Sequence, residues 1–90
     1  MTDAHILVVD DAEDNRAILR DRLESQGYRV SSANDGEEAL LAVRGDPPDL
    51  ILLDIMMPRM DGFEVCRRLR AMPDGQKPYI VFLTARSEEY

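Results

Sequence analysis

Short apolar runs and longer stretches with helical spacing take turns along the chain. Four segments have the length and the large or β-branched apolar content of strands, and they lie near residues 5–10, 28–33, 49–54 and 79–84. All but the second are continuous apolar runs, which predict strands buried on both faces. The second alternates apolar and polar residues and therefore predicts a strand at the edge of a sheet.

Three stretches between these strands repeat apolar residues every three or four positions. They predict helices near 14–26, 35–45 and 61–72. The second and third each begin with an aspartate, Asp35 or Asp61, followed three residues later by a glutamate, a pattern typical of a helix amino terminus. Glycine and proline follow and indicate where these helices end.

Strands that alternate with helices form βαβ units. Their right-handed crossovers predict a mainly parallel sheet that is covered by helices on both faces. Since a chain of 90 residues has room for only one such core, residues 1–90 are expected to form a single α/β domain.

Composition and charge exclude several classes of partner. Acidic residues outnumber basic ones by 18 to 11 and the formal net charge is -7, so a nucleic-acid-binding surface is not expected. No apolar run approaches the ~18 residues that cross a bilayer, and the first residues lack the features of a secretory signal. The single cysteine, Cys66, cannot form an intrachain disulfide and is expected in the core. We therefore predict a cytoplasmic domain without direct contact to membrane or nucleic acid.

Polar residues follow the apolar strands at one end. Asp10 and Asp11 come after the first strand, Asp54 ends the third, and Thr84 ends the fourth. Because the carboxyl ends of parallel strands meet at one edge of a sheet, these side chains are expected to share a crevice. Crowded carboxylates repel unless a proton or a cation neutralises them, and Mg²⁺ prefers oxygen ligands. A carboxylate beside Mg²⁺ can also attack phosphorus as a nucleophile.

Three motifs in this order carry a resemblance to a known family. VVDD at 8–11, LLDIMMP at 52–58 with DG at 61–62, and LTA at 83–85 resemble the receiver domain of two-component response regulators. The resemblance covers the whole chain. It implies a flavodoxin-like, doubly wound parallel sheet in the order 2-1-3-4, with the family's fifth strand and fifth helix absent from these 90 residues. It also implies a phosphorylated signalling switch and not an enzyme.

The resemblance assigns roles to four residues around the acidic crevice. Asp54 is implied to be the phosphoacceptor, which receives its group from the phosphohistidine of a sensor histidine kinase or a phosphotransfer protein. Asp10 and Asp11 are implied to hold Mg²⁺ together with Asp54. Met56 is implied to contribute only its backbone carbonyl to the metal, so its apolar side chain does not argue against a role at this position.

Four further residues are implied to shape or complete this site. Thr84 resembles the switch hydroxyl that bonds the phosphoryl group, and Ala85 resembles the small residue that keeps the pocket open. Pro58 and Gly62 are expected to shape the loop after the third strand without taking part in the chemistry.

One element of the family pattern is missing. The family's fifth strand carries a lysine that bonds the phosphoryl group, and the only lysine here, Lys77, precedes the fourth strand at its amino end. Two expectations follow: Mg²⁺ binding persists, and phosphorylation is slower or fails to switch the domain. Residues 79–84 would also form an exposed apolar edge, which a homodimer or a segment swap would cover.

Two other functions remain open at this point. A Mg²⁺-dependent aspartyl phosphatase uses a similar nucleophile but requires an acid two residues later, where this chain has Met56. A receiver-like interaction fragment that is never phosphorylated is the other alternative. His5 begins the first strand and is expected to be a solvated residue, because no metal-ligand spacing surrounds it.

Overall fold

Four parallel strands form one sheet in the computed structural model, which describes residues 3–83. The strands are β1 (His5–Val9), β2 (Arg29–Ala33), β3 (Leu50–Asp54) and β4 (Tyr79–Leu83). Their order across the sheet is β2-β1-β3-β4, and each neighbouring pair is parallel. This arrangement confirms the predicted flavodoxin-like fold with the order 2-1-3-4.

Helices connect the strands as the alternation predicted: α1 (Glu13–Ser25), α2 (Gly36–Gly45) and α3 (Gly62–Arg70), with a 3-10 turn at Pro73–Gly75. Asp35 accepts a hydrogen bond from the Glu38 backbone N–H at 2.8 Å, and Asp61 accepts one from that of Glu64 at 2.9 Å. These bonds satisfy donors that a helix start otherwise leaves open. None of the helices within residues 3–83 is long and apolar enough to span a membrane.

The third helix ends two residues before the predicted position. Met72 has an extended backbone, with φ -96° and ψ 143°, because the ring of Pro73 disfavours a helical conformation in the preceding residue. The N–H groups of Ala71 and Met72 bond to the carbonyls of Arg68 and Leu69, which tightens the last turn.

The two faces of the sheet are covered to different extents. On one face, α2 and α3 pack over a core that includes Leu7, Val9, Ile51 and Leu53, and the half-buried Cys66 packs against it. On the other face, α1 contacts β1 and β2. The prediction that the fourth strand is buried on both faces is wrong, because no element within residues 3–83 covers β4 on the α1 side. Tyr79 and Val81 are 78% and 47% exposed there.

His5 is buried, so its prediction as a solvated residue is wrong. Its ring nitrogen Nε2 lies 2.6 Å from the hydroxyl of Ser31 on β2, and its backbone N–H donates to the carboxylate of Asp49 at 2.8 Å. The residue is 3% exposed because β2 and the loop before β3 close over the amino end of β1.

Candidate metal and phosphoacceptor site

Three carboxylates meet where β1 and β3 end. β1 and β3 are neighbours in the sheet, so Asp10 and Asp11 after β1 lie beside Asp54 at the end of β3. One oxygen from each lies within 4.8 Å of the others. Asp10 and Asp54 are each only 5% exposed, whereas Asp11 is exposed to solvent. The structure therefore brings together the three acids that the strand ends predicted.

The loop between β1 and α1 holds Asp10 in place. One oxygen of its carboxylate accepts the Ala12 backbone N–H at 2.8 Å, and the other accepts the side-chain amide of Asn15 at 3.4 Å. Ala12 is the residue that caps α1, and it has no capping side chain of its own. Asp10 thus terminates β1, organises the start of α1 and points a carboxylate into the crevice at the same time.

Two residues near the start of α1 support this loop and were not predicted. Asn15 bonds the Asp10 side chain, and the Arg16 guanidinium donates to the Asp10 backbone carbonyl at 2.7 Å. Arg16 also donates to the side chain of Asn34 at 3.1 Å, which joins the loop after β1 to the loop after β2. Their only sequence signal is their position five and six residues after Asp10. Any polar residue in a first helical turn can have this position, so the signal is not specific.

Asp54 is oriented by the chain that follows it. One of its carboxylate oxygens accepts the Met56 backbone N–H at 3.1 Å. The Met56 side chain is 57% exposed and turns away from the core, which is compatible with the prediction that this residue contributes through its backbone. The position of the Met56 carbonyl as a metal ligand stays a prediction.

Gly62 lets α3 begin directly against the end of β3. Its N–H donates to the Ile55 carbonyl at 3.0 Å. A Cβ at this position would lie 2.5 Å from the carbonyl oxygen of Asp54, closer than real Cβ atoms approach. Only glycine fits here without displacing the backbone of Asp54.

The donor set fits a hard divalent cation. Negative charges at this separation repel strongly, and the exposed Asp11 gives a cation direct access from solvent. All the donors are oxygens, and a Mg²⁺ ion held by one or two carboxylates keeps several of its waters. The residues present therefore fit Mg²⁺ better than a soft metal, which would require thiolate or imidazole ligands.

The single lysine of the chain lies away from this site, as the sequence predicted. Lys77 is exposed and precedes β4, so it lies at the amino end of the sheet, roughly 20 Å along the strand from Leu83, the partner of Asp54. Thr84 and Ala85 lie outside the described residues, and their roles stay predictions.

Comparison with known sequences identifies the family. A family model described as the response regulator receiver domain matches residues 6–90. Response regulator PleD of Caulobacter vibrioides is 50% identical over 82 residues, which make up 91% of this chain and 18% of PleD. The alkaline phosphatase synthesis transcriptional regulatory protein PhoP of Bacillus subtilis is 49% identical over 87 residues, or 94% of this chain and 35% of PhoP. The chain spans about a fifth to a third of the length of these relatives.

Solved structures agree with this comparison. The N-terminal domain of a response regulator receiver protein from Methanoculleus marisnigri has a TM-score of 0.88 at 44% identity, over 91% of this chain and 67% of that one. Response regulator TrrA from Thermotoga maritima, solved in complex with Mg²⁺-BeF, has a TM-score of 0.84 at 39% identity, over 94% of this chain and 72% of that one. The match across residues 6–90, with relatives and solved receivers of the same fold, shows that this chain belongs to the response regulator receiver domain family.

Proposed function

We propose that this domain is a phosphorylated switch of a two-component system, with Asp54 as the phosphoacceptor. The observation that carries the proposal is the meeting of Asp10, Asp11 and Asp54 within 4.8 Å at the carboxyl ends of two neighbouring strands. In parallel α/β sheets, ligands bind beyond these strand ends. Membership of the receiver family supports the same role.

Asp54 supplies the attacking oxygen in this proposal. The oxygen forms a bond to phosphorus while the bond between phosphorus and the imidazole nitrogen of a phosphohistidine breaks, and the nitrogen keeps the electron pair. The product is an acyl phosphate on Asp54. The Met56 N–H fixes the rotation of the carboxylate, and the buried setting of Asp54 limits the access of water to the product.

Asp10, Asp11 and Asp54 would hold Mg²⁺, with the Met56 carbonyl as a further ligand. Bound Mg²⁺ would offset the negative charge on the phosphoryl oxygens as the group is transferred. Asp10 keeps its carboxylate directed into the site through the N–H of Ala12 and the amide of Asn15. Arg16 holds the same loop from the other side through the Asp10 carbonyl.

We infer that the partner is a sensor histidine kinase or a phosphotransfer protein and that the domain acts in the cytoplasm. The complex of TrrA with Mg²⁺-BeF supports the metal assignment by similarity. We also propose that the domain is not itself an enzyme. The positions two residues after Asp54 and Asp10 are Met56 and Ala12, so neither offers the second acid that an aspartyl phosphatase requires.

Phosphorylation in vitro tests the proposal. The wild-type chain, Asp54→Asn and Asp21→Asn are incubated with Mg²⁺ and a small-molecule phosphodonor, and intact mass is measured. Asp21 is an exposed acid in α1 and serves as the matched control. We expect one alkali-labile phosphoryl group on the wild type and on Asp21→Asn, and none on Asp54→Asn. Label that persists on Asp54→Asn would refute the assignment, and no label on a chain that binds Mg²⁺ would favour the unphosphorylated fragment.

A further inference from the structure

Arg16 makes two hydrogen bonds with one nitrogen of its guanidinium group. This nitrogen, Nη1, donates to the backbone carbonyl of Asp10 at 2.7 Å and to the side-chain oxygen of Asn34 at 3.1 Å. The side chain reaches back to the end of β1 because helix side chains lean toward the amino terminus of their helix. Arg16 therefore bridges the loop that follows β1 and the loop that follows β2.

The bond to Asp10 fixes the peptide group that joins two of the proposed metal ligands. The Asp10 carbonyl belongs to the planar peptide between Asp10 and Asp11, so its direction determines how the two residues are placed relative to each other. The N–H of Asp10 donates to the Ala33 carbonyl at 3.2 Å, which continues the pairing of β1 with β2. Because both backbone groups of Asp10 are bonded, the path of the chain into the exposed Asp11 is set.

Asn34 is itself held by the start of α2. Its backbone N–H donates to a carboxylate oxygen of Glu38, and the Glu38 N–H donates to the capping carboxylate of Asp35 at 2.8 Å. This pair of bonds resembles a capping box and restrains the residue before the helix cap. Asn34 thus presents its side-chain oxygen to Arg16 from a fixed position.

The charge of Arg16 does not favour Mg²⁺ binding. A positive charge beside the acidic cluster competes with a cation for the same carboxylates. The helix dipole also opposes a cation near a helix amino terminus, and Arg16 is the fourth residue of α1. Removing the charge alone should therefore tighten Mg²⁺ binding. A loss of affinity on removal of Arg16 would identify its hydrogen bonds as the cause.

We propose that Arg16 and Asn34 are positioning residues of the magnesium site, which make its affinity for Mg²⁺ depend on the start of α2. This inference rests on the proposed function, because it concerns the ion that Asp10, Asp11 and Asp54 would hold. Neither positioning residue contacts the ion. Arg16 acts through the peptide between the first two aspartates, and Asn34 acts through Arg16.

Substitutions of two arginines in α1 test the role of Arg16. Arg16→Met keeps a long side chain without its donors and should raise the Mg²⁺ dissociation constant by about tenfold, as when other supports of metal ligands are removed. Arg16→Lys restores one donor nitrogen, which can serve both acceptors, and should recover most of the affinity. Arg20→Met is the matched control, because Arg20 is also half-buried but donates to the Ser32 hydroxyl of β2 at 2.9 Å.

A double variant tests whether Asn34 acts through Arg16. Asn34→Ala alone should weaken Mg²⁺ binding by less than Arg16→Met does, because the bond from Arg16 to Asp10 remains. When Asn34→Ala is combined with Arg16→Met, the affinity should equal that of Arg16→Met alone, since residues that share one contact are not additive. Additive losses would overturn the role assigned to Asn34.

Shifts of backbone amide NMR signals during a Mg²⁺ titration give the dissociation constant of each folded variant, and urea unfolding in chelator gives its stability. Weaker binding by Arg16→Met than by Arg20→Met, with recovery by Arg16→Lys, would support the proposal. Equal affinities for Arg16→Met and Arg20→Met would overturn it, as would a loss that Arg16→Lys does not recover. A wild-type domain that binds no Mg²⁺ would refute the proposed magnesium site and this inference with it.

Discussion

The crowding of Asp10, Asp11 and Asp54 predicts that removing one charge stabilises the metal-free domain. At the 4.8 Å limit of their separation, two unit charges repel by ~0.9 kcal/mol in a water-like dielectric and by ~3.5 kcal/mol at an effective constant of about 20. Asp11 is exposed to solvent, so the lower value applies to its repulsion with Asp10 and to its repulsion with Asp54. With screening by salt, Asp11→Asn is expected to raise the free energy of unfolding by ~1–2 kcal/mol in a chelator.

Magnesium should reverse this order. A cation that binds only the folded state stabilises it by about 2.7 kcal/mol at a hundred times its dissociation constant. Asp11→Asn lacks one charged ligand and should gain much less from the same concentration of Mg²⁺. The wild type is therefore expected to be the less stable protein in chelator and the more stable one when Mg²⁺ is saturating.

Urea unfolding followed by far-ultraviolet circular dichroism measures both effects, since the chain has no tryptophan. Asp21→Asn makes the same change in net charge in the exposed part of α1, outside the cluster, and should show neither the gain in chelator nor the loss of Mg²⁺ response. If Asp21→Asn raises the free energy of unfolding in chelator as much as Asp11→Asn does, the loss of overall negative charge explains the gain in stability. If Asp11→Asn is less stable than the wild type in chelator, or responds to Mg²⁺ to the same extent, the repulsion argument is refuted.

Two further predictions concern contacts outside the acidic cluster. Gly62→Ala should destabilise the fold by about 1–3 kcal/mol through overpacking, because its Cβ would meet the Asp54 carbonyl oxygen at 2.5 Å. Gly45→Ala in α2 meets nothing within 4 Å and should be neutral or stabilising in the same urea titration, so equal losses for both variants would contradict the steric argument. The hydrogen bond from Arg29 holds the pKa of Asp46 below its ordinary value near 3.8, so the stability it adds is present above that value and lost as pH falls through the lower folded pKa. In an NMR titration, Arg29→Gln should move this pKa upward, and an unchanged value would contradict the assigned cause.

The acidic cluster could be predicted because its sequence signal is local. Asp10 and Asp54 directly follow or end an apolar run, Asp11 is the residue after Asp10, and the parallel sheet carries those strand ends to one edge. The pattern of strands and helices does not predict which strands are neighbours, because the crossover rule gives the direction of the strands and not their order. The order came from the family resemblance, and without it the approach of Asp54 to Asp10 would have remained one of several arrangements.

The prediction that β4 is buried on both faces was wrong because burial depends on which elements cover a surface. A continuous apolar run such as YIVFL indicates burial but does not say on which face a covering element is present. β4 is accordingly packed on the α3 side and open on the other, where Tyr79 and Val81 are exposed. The same limit applies to Ile18 in α1, which has helical apolar spacing and is 53% exposed.

The two ends of β1 show why one buried polar residue could be assigned and the other could not. His5 and Asp10 are 3% and 5% exposed, so both polar groups require partners within the protein. Asp10 finds them only two and five residues away, at Ala12 and Asn15, within a single strand-to-helix turn. The partners of His5 are 26 and 44 residues away: the Ser31 hydroxyl lies beside ring nitrogen Nε2, and the Asp49 carboxylate accepts the backbone N–H. Both become neighbours of His5 only once β2 and the loop before β3 are in place. The carboxylates crowded at the Asp10 end are the proposed ligands of Mg²⁺, whereas the contacts at the His5 end join β1 to the neighbouring strand and loop. The proposed chemistry and the structural support thus lie at opposite ends of one strand, and only the carboxyl end has a local signature in the sequence.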